Sequence, residues 1–589
     1  MLAKTKWYVN RLKKMSFLEV IHRCYEQLVF SRIKLLFKLG ILPSFYKENN
    51  TAKKFGKANF SHLDDYFYDG LNNESLDDIY TCLNETETIL FTNVNYRIAD
   101  DNFDIRNFWE KHRFQQLVSL SRNGSISKAE LVGFVKEWSE RNPPYIGKNY
   151  VSVMEVALRV ISLLVANYYI DRFDEIKSNS KDDTFLNNFY NLNYKIISER
   201  LSLYSSAGNH TLTELCALII IASISDKKRD WARFSDLFSC EFLRQTYQDG
   251  GSKEQATWYL KFIHDLAIIV QPFLSSEENR NLIAQRISSI RQYLESVSQF
   301  GLEKIGDSDS GFALAPNFGF KAMRGDLSDI NGKKEIFRES GFLSYESHKY
   351  SCLFNFSSLG MAPCYGHGHL DALSLLVNKD GKKLFTDIGT YSYNSSEDIR
   401  SYFRSNLNHN TVSINKKCHA KELGKFMWDK PYFSVLLDVN TTEIELYSLA
   451  KLEFSNDLKP FTAYRAIYIH DEEFAVLDFV YTSNHEEFEV LQTWVLGEDV
   501  NAVSDSKGFL FDDEMYGLYA SKGSSVEHKV EQVTISNTYL EKSSSLKAVV
   551  TCRFKNSGYV IISNFNNSKL EEIIKMSSDK IKKDNGFEF

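Results

Sequence analysis

Two periodicities divide the chain. Through the first ~320 residues, apolar side chains recur at i, i+3, i+4 and i+7, the spacing of a helix with one buried stripe. Trp109–Val118, Val151–Tyr169 and Glu199–Ile224 show it most plainly, with polar connectors such as Ser178–Asp183 between them. Successive amphipathic helices on short links predict helical hairpins packed side by side, as a bundle or a toroid. No residue-level repeat of fixed period is present, so a regular solenoid is not supported. From about Tyr345 the runs become short, β-branched and aromatic: Tyr350–Phe356, Ala372–Val377, Phe433–Leu437, Tyr464–His470, Phe474–Phe479 and Glu487–Leu496. Strands without intervening helices predict an antiparallel sandwich or barrel. The change falls in the Gly-rich stretch Gly301–Gly341. We place the boundary at 325/326, giving a segregated α+β chain with a helical domain over 1–325 and a β domain over 326–589.

A chain of 589 residues exceeds one hydrophobic core, in keeping with two domains. Seventy basic against 77 acidic residues leave a net charge of −7. With no Lys/Arg-rich tract, this argues against nucleic acid as the main partner and leaves room for a local basic groove that takes an acidic ligand. The eight cysteines show no paired spacing, and several sit in apolar runs, which predicts buried free thiols. The N-terminal stretch through Leu28 is basic but lacks an uninterrupted apolar core and a small-residue cleavage site, so it reads as an amphipathic helix. No segment reads as a membrane span, Leu215–Ile224 being a buried helix by length. The expectation is a cytoplasmic chain, with the periplasm as the alternative.

Chemistry-bearing residues cluster in the β half. Tyr365-Gly-His-Gly-His-Leu-Asp371 is followed by Asp387-Ile-Gly-Thr-Tyr391 and Asn408-His-Asn-Thr411. On a strand, His367, His369 and Asp371 project from one face. His369, Asp387 and His409 form the best metal-ligand set, two imidazoles and a carboxylate, or else a polar cluster where strands cross. In the helical half, Gly208-Asn209-His210 opens an apolar helix that contains Glu214, as an anion cradle or as a plain cap. Ser252 and Gln255 form a capping box that starts a helix, placing Tyr259 about two turns in.

These pieces resemble the heparinase II/III-like polysaccharide lyases, which include oligo-alginate lyases. The resemblance runs from about Trp109 to about Trp494. It is strongest in Gly366-His-Gly-His-Leu-Asp-Ala-Leu-Ser374, Asp387-Ile-Gly-Thr-Tyr-Ser-Tyr393, and Phe403-Arg404 leading to His409-Asn-Thr-Val412. Weaker matches are Trp109 with Arg113, Glu155 with Arg159, Asn209-His210, and Glu254 with Tyr259. The resemblance implies an incomplete N-terminal (α/α) toroid followed by an antiparallel β-sandwich. Position by position, Tyr259 matches the catalytic tyrosine. Asn209 and His210 match the pair that engages the uronate carboxyl group, and His367 matches the active-site histidine of the sandwich domain. Arg113, Glu254 and Arg404 fall at substrate-binding positions. His369, Asp387 and His409 match positions that hold one divalent metal, commonly zinc. Leu260 departs from the histidine that follows the tyrosine in many heparinase-type members, so a heparin-like substrate is not carried over.

The implied reaction is β-elimination on a 4-linked uronic acid of an acidic polysaccharide or oligosaccharide: C5 loses its proton and C4 its oxygen. Donors on the neighbouring carboxylate let electron density flow into it as the proton leaves. Tyr259 suits the acid that protonates O4 and, when both groups leave on one face, the base as well. For the other stereochemistry the base is His210 or His367, and the sequence does not choose between them. Competing readings are a uronate C5-epimerase, which reprotonates C5 without cleavage, and a non-catalytic glycan-binding factor in polysaccharide assembly.

Overall fold

The computed structural model describes residues 15–46, 55–68, 79–80, 83, 88–95, 104–173, 180–321, 334–456, 459–470, 472–482, 487–564 and 567–586. The chain forms two compact units that interleave along the sequence. One comprises Met1–Gln245, Lys261–Ser288 and Gly311–Lys321, the other Thr246–Leu260, Ser289–Ser310 and Ala322–Phe589. The boundary expected at 325/326 lies outside the described residues. Two stretches ahead of it, 246–260 and 289–310, belong to the second unit. Glycines permit this: a Cβ on Gly251 would stand 2.0 Å from Ser340 Oγ, and one on Gly250 2.1 Å from the Ser289 carbonyl oxygen. Asp249 accepts from the Glu339 and Ser340 backbone N–H groups at 2.8 and 3.0 Å, fastening the same turn.

In the helical unit, Gln115–Arg122, Val153–Phe173, Asn209–Ser223 and Lys228–Gln245 pack in succession, as helical hairpins require. The helix over Val153–Arg172 is long and apolar enough to cross a membrane, contrary to expectation, but 89% of it is buried inside the unit. It is a core helix. The periodic run at Trp109–Val118 is broken: helices Ile105–Lys111 and Gln115–Arg122 meet at Phe114, whose φ is +62°. The break seats the Phe114 ring edge-on against Phe134 and Trp138. Glu199–Ile224 is likewise two helices, Ser180–Glu199 and Asn209–Ser223. The first begins inside the expected Ser178–Asp183 connector, whose residues 178 and 179 lie outside the described set.

In the second unit, Lys334–Phe337, Phe342–Glu346, Tyr350–Asn355, Leu375–Lys379 and Lys382–Phe385 form an antiparallel sheet in chain order. A larger antiparallel sheet contains the meander Phe433–Thr441, Glu445–Asn456, Lys459–His470 and Glu473–Tyr481, which continues to Ser557–Ser563. Tyr345, Phe354 and Val377 of the first sheet share one core with Ile467, Val476 and Trp494 of the second, which makes the unit a sandwich. An unforeseen C-terminal helix, Asn567–Asn585, seals the opposite face of the meander with Leu570, Ile573 and Ile581. Among the described residues all seven cysteines are free.

Candidate active site

The segment from Tyr365 to Asp371 is an irregular loop and not the expected strand. Tyr365 and Leu373 adopt positive φ (58° and 61°), and the backbone bonds go elsewhere. The His367 carbonyl accepts from Asp307 N, the Gly368 carbonyl from Trp428 Nε1, and Leu370 N donates to the Arg404 carbonyl. The shared-face geometry therefore fails. The two histidines converge all the same, because both bind one carboxylate.

That carboxylate is Asp307, buried and unforeseen from sequence. His367 Nδ1 donates to its Oδ2 and His369 Nε2 to its Oδ1, each at 3.0 Å, while Arg400 clamps both oxygens at 2.7 and 2.6 Å. Burial alone would raise the acid, but the Arg400 charge and the two imidazoles outweigh it and hold Asp307 well below the usual carboxylate range. An ionised carboxylate only accepts. The proton on His367 therefore sits on Nδ1, leaving Nε2 as the basic nitrogen of a side chain that is 25% exposed.

Tyr259 stands beside this histidine, its ring edge-on to the His367 ring at 4.7 Å. The expected capping box does not form. Gln255 takes φ +54°, donates to Ser357 Oγ and accepts from Gly360 N, and the helix begins at Thr257. Tyr259 therefore lies in the first turn, not the second. Its hydroxyl is 2.7 Å from the Tyr393 hydroxyl and 3.4 Å from Asp309 Oδ2. Tyr393 is held in turn by Tyr539, whose hydroxyl accepts from Tyr393 N at 3.1 Å, and by the Arg400 guanidinium at 5.3 Å from its ring. Tyr259, His367, Asp307, Asp309 and Tyr393 all belong to the second unit.

Residues 330–569 match the family model described as heparinase II/III-like, C-terminal. The chain carries a heparinase II/III-like C-terminal domain. Similar solved structures include heparinase III (14% identity, 90% of this chain and 91% of that chain covered, TM-score 0.56) and the heparan sulfate lyase HepC of Pedobacter heparinus (16%, 80% and 78%, 0.53). A further heparinase III covers 90% of each chain at 16% identity and TM-score 0.54. These likenesses establish the fold. No curated protein matches the sequence.

Within the heparinase II/III-like domain, the expected metal ligands are brought together but not as a three-ligand site. His409 Nδ1 donates to Asp387 Oδ2 at 2.7 Å, Asp387 Oδ1 accepts from Gly389 N, and the His369 and His409 ring centroids are 5.3 Å apart. Among the described residues, no three His, Cys, Asp or Glu side chains are poised to hold a metal ion. Asp387 here orients His409 and does not itself project a free oxygen pair. Burial would raise the Asp387 carboxyl, but His409 keeps it low and ionised. The donor chemistry does suit a metal. His369 Nδ1 and His409 Nε2 are both buried without a hydrogen-bond partner, although the Phe403 carbonyl lies near His409. Asp371 Oδ1 is a third unpartnered atom, on a carboxyl that burial and the Asp387 charge push up to about 7.

Of the expected substrate contacts, Arg113 and Arg404 are internal braces. Arg113, 1% exposed, forms a fork with Glu155 at 2.7 and 2.9 Å in the helical unit. Arg404, fully buried, stacks 4.1 Å from the Trp428 ring and donates to Glu422 and the Gly424 and Lys425 carbonyls. All three of these bonds come from Nη1, and Arg404 Nε and Nη2 are buried without a hydrogen-bond partner among the described residues. Glu254 is also buried. Asn209 and His210 open the Asn209–Ser223 helix of the helical unit, with Gly208 at the cap position, so Asn209 is not the cap. Asn209 is buried and His210 exposed.

Proposed function

We propose that the protein is a polysaccharide lyase that cleaves a 4-linked uronic-acid polymer by β-elimination. The observation that carries this reading is the Tyr259–His367 pair, a phenol and an imidazole in ring contact, each with its own buried acid. His367 Nε2 takes the C5 proton, and the resulting imidazolium is stabilised by Asp307 through Nδ1–H. The C5–H electrons form the C4–C5 double bond, the C4–O4 bond breaks, and Tyr259 delivers its proton to O4. Tyr393 then donates its hydroxyl to the phenolate left on Tyr259. A second phenol poised on that oxygen stabilises charge that exists only after proton transfer begins. The role expected of Asn209 and His210, as donors to the uronate carboxylate, rests on the resemblance alone.

One divalent metal, expected at His369, Asp387 and His409, would be held by His369 Nδ1 and His409 Nε2, with Asp371 Oδ1 as the third unpartnered atom, since both Asp387 oxygens already accept hydrogen bonds. It would supply positive charge and a rigid tie between the two loops. Metal analysis of the purified protein, with and without chelator, tests this separately from catalysis.

Incubation with a panel of uronic-acid polymers, followed by ultraviolet absorbance, tests the activity. The expected result is an unsaturated product with at least one polymer. Solvent deuterium entering C5 without chain cleavage would replace the lyase with an epimerase.

A further inference from the structure

The helix Phe17–Lys38 is inside out. Its polar face is turned toward the helical unit: Glu19 is buried, and Arg23 bridges Glu19, Glu26 and Ser206 Oγ at 3.3, 2.8 and 2.8 Å. Ser205 Oγ donates to the same Glu19, and Arg32 reaches Glu199 at 2.5 Å. Only Val29 and Ile33 bring apolar bulk to the buried side, with Phe30 edge-on to Phe91. The opposite face carries Phe17, Ile21, Tyr25, Leu28, Leu35 and Leu39, all exposed, with Phe17 at 78% and Leu28 at 71%. Spacings of four, four, three, seven and four residues keep them on one stripe. A packed surface helix shows the reverse arrangement, so this stripe is an interaction surface.

Charge indicates what covers it. The exposed charged side chains of the helix are Lys34, Lys38 and Arg32, all positive, Arg32 being paired with Glu199, and both of its acids are turned inward against Arg23. The 16 residues ahead of the helix add Lys4, Lys6, Arg11, Lys13 and Lys14 and contain no acid. A second copy of the chain seated on this stripe would set positive charge against positive charge. An anionic lipid surface complements both features: headgroups pair with the lysines and arginines, and the acyl boundary receives the apolar side chains. We propose that the Phe17–Lys38 helix docks the protein on anionic bilayers, lying in the plane of the membrane with its outward stripe below the headgroups.

Co-sedimentation of the full chain with vesicles tests this. Phosphatidylglycerol–phosphatidylcholine vesicles should pellet the protein, and pure phosphatidylcholine should hold it about tenfold more weakly or not at all. Leu28→Glu and Phe17→Glu should each weaken pelleting about tenfold or more. Both side chains are exposed, so the melting temperature should not change. Equal pelleting of wild type and Leu28→Glu overturns the proposal, as does equal binding to neutral vesicles. A lipid-free dimer that Leu28→Glu converts to a monomer, with no vesicle binding by the wild type, assigns the stripe to self-association instead.

Discussion

The hydroxyls of Tyr259 and Tyr393, 134 residues apart in sequence, lie 2.7 Å from each other, and Asp309 approaches the same Tyr259 oxygen at 3.4 Å. One phenol can therefore donate while the other accepts, and the pair separates the group that transfers a proton from the group that steadies it. Tyr259→Phe should lower formation of the unsaturated product by about 10²–10⁴-fold, the usual contribution of a positioned acid. Tyr393→Phe leaves the acid in place and removes only the donor to its phenolate, so kcat should fall by about 10²-fold with KM nearly unchanged. Full activity in Tyr393→Phe would show that the second hydroxyl plays no part.

Asp307 joins the two histidines to Arg400, so its effects on stability and catalysis can be separated. Asp307→Asn leaves the Arg400 guanidinium buried opposite a neutral amide and should destabilise by about 3–5 kcal/mol, read by chemical denaturation. The double variant Asp307→Leu/Arg400→Met replaces the buried ions with apolar volume and should regain much of that loss. It should not regain activity, because nothing then fixes the His367 proton on Nδ1. A double variant that recovered both would reduce Asp307 to a packing residue.

The architecture was legible because hydrophobic period is a direct imprint of which face is buried. Val153–Phe173 and Glu473–Tyr481 fall within a few residues of their expected positions for that reason. Positions where the backbone leaves the regular regions were not legible: Phe114, Gln255, Tyr365 and Leu373 all take positive φ in stretches whose side-chain pattern reads as helix or strand. His367, His369 and His409 stood out as a cluster of histidines and acids in the sequence, and motif resemblance supplied their roles and that of Tyr259. Asp307 and Arg400 were missed because an ion pair across 93 residues has no local periodicity. The available signals were faint: an acid-rich, Gly-bounded run at Gly306–Gly311, and two arginines one helical turn apart at Arg400 and Arg404. Arg113 and Arg404 sat at the expected motif positions, but burial turned them into braces.

In the helical unit, Glu214 provides a pH dependence of known sign. It is buried, accepts from Ser202 N and Ser202 Oγ at 2.7 Å each, and desolvation pushes its carboxyl up from 4.5 to about 8. The folded state thus holds a proton that the unfolded chain releases near 4.5. Its stabilising contribution is full below that value and is lost as pH rises through about 8. The melting temperature should fall between about pH 5 and about pH 9, and Glu214→Gln, which cannot ionise, should flatten the slope by a few kcal/mol over that range. A wild-type slope identical to that of Glu214→Gln would mean that the Arg200 charge keeps Glu214 ionised throughout.

Gly306 shows how a single Cβ would disturb the site. Its φ is +65°, and an added Cβ would stand 1.8 Å from the Gln255 carbonyl oxygen and 3.1 Å from Ala256 Cα. These are rigid backbone atoms, so the substitution must move the turn that carries Asp307. Left-handed strain of about 1–2 kcal/mol adds to overpacking of about 1–3 kcal/mol, and Gly306→Ala should lose about 3 kcal/mol or more. Gly133 is the control: it lies within the helix Lys128–Arg141 with no heavy atom within 4 Å of an added Cβ. Gly133→Ala should stabilise by about 0.5–1 kcal/mol through the loss of unfolded-state freedom. Activity discriminates further, since Gly306→Ala displaces the carboxylate that orients His367, whereas Gly133→Ala leaves it untouched. If Gly306→Ala unfolded at wild-type denaturant concentrations and kept full activity, the close approach of Gly306 to Gln255 would not be what positions Asp307.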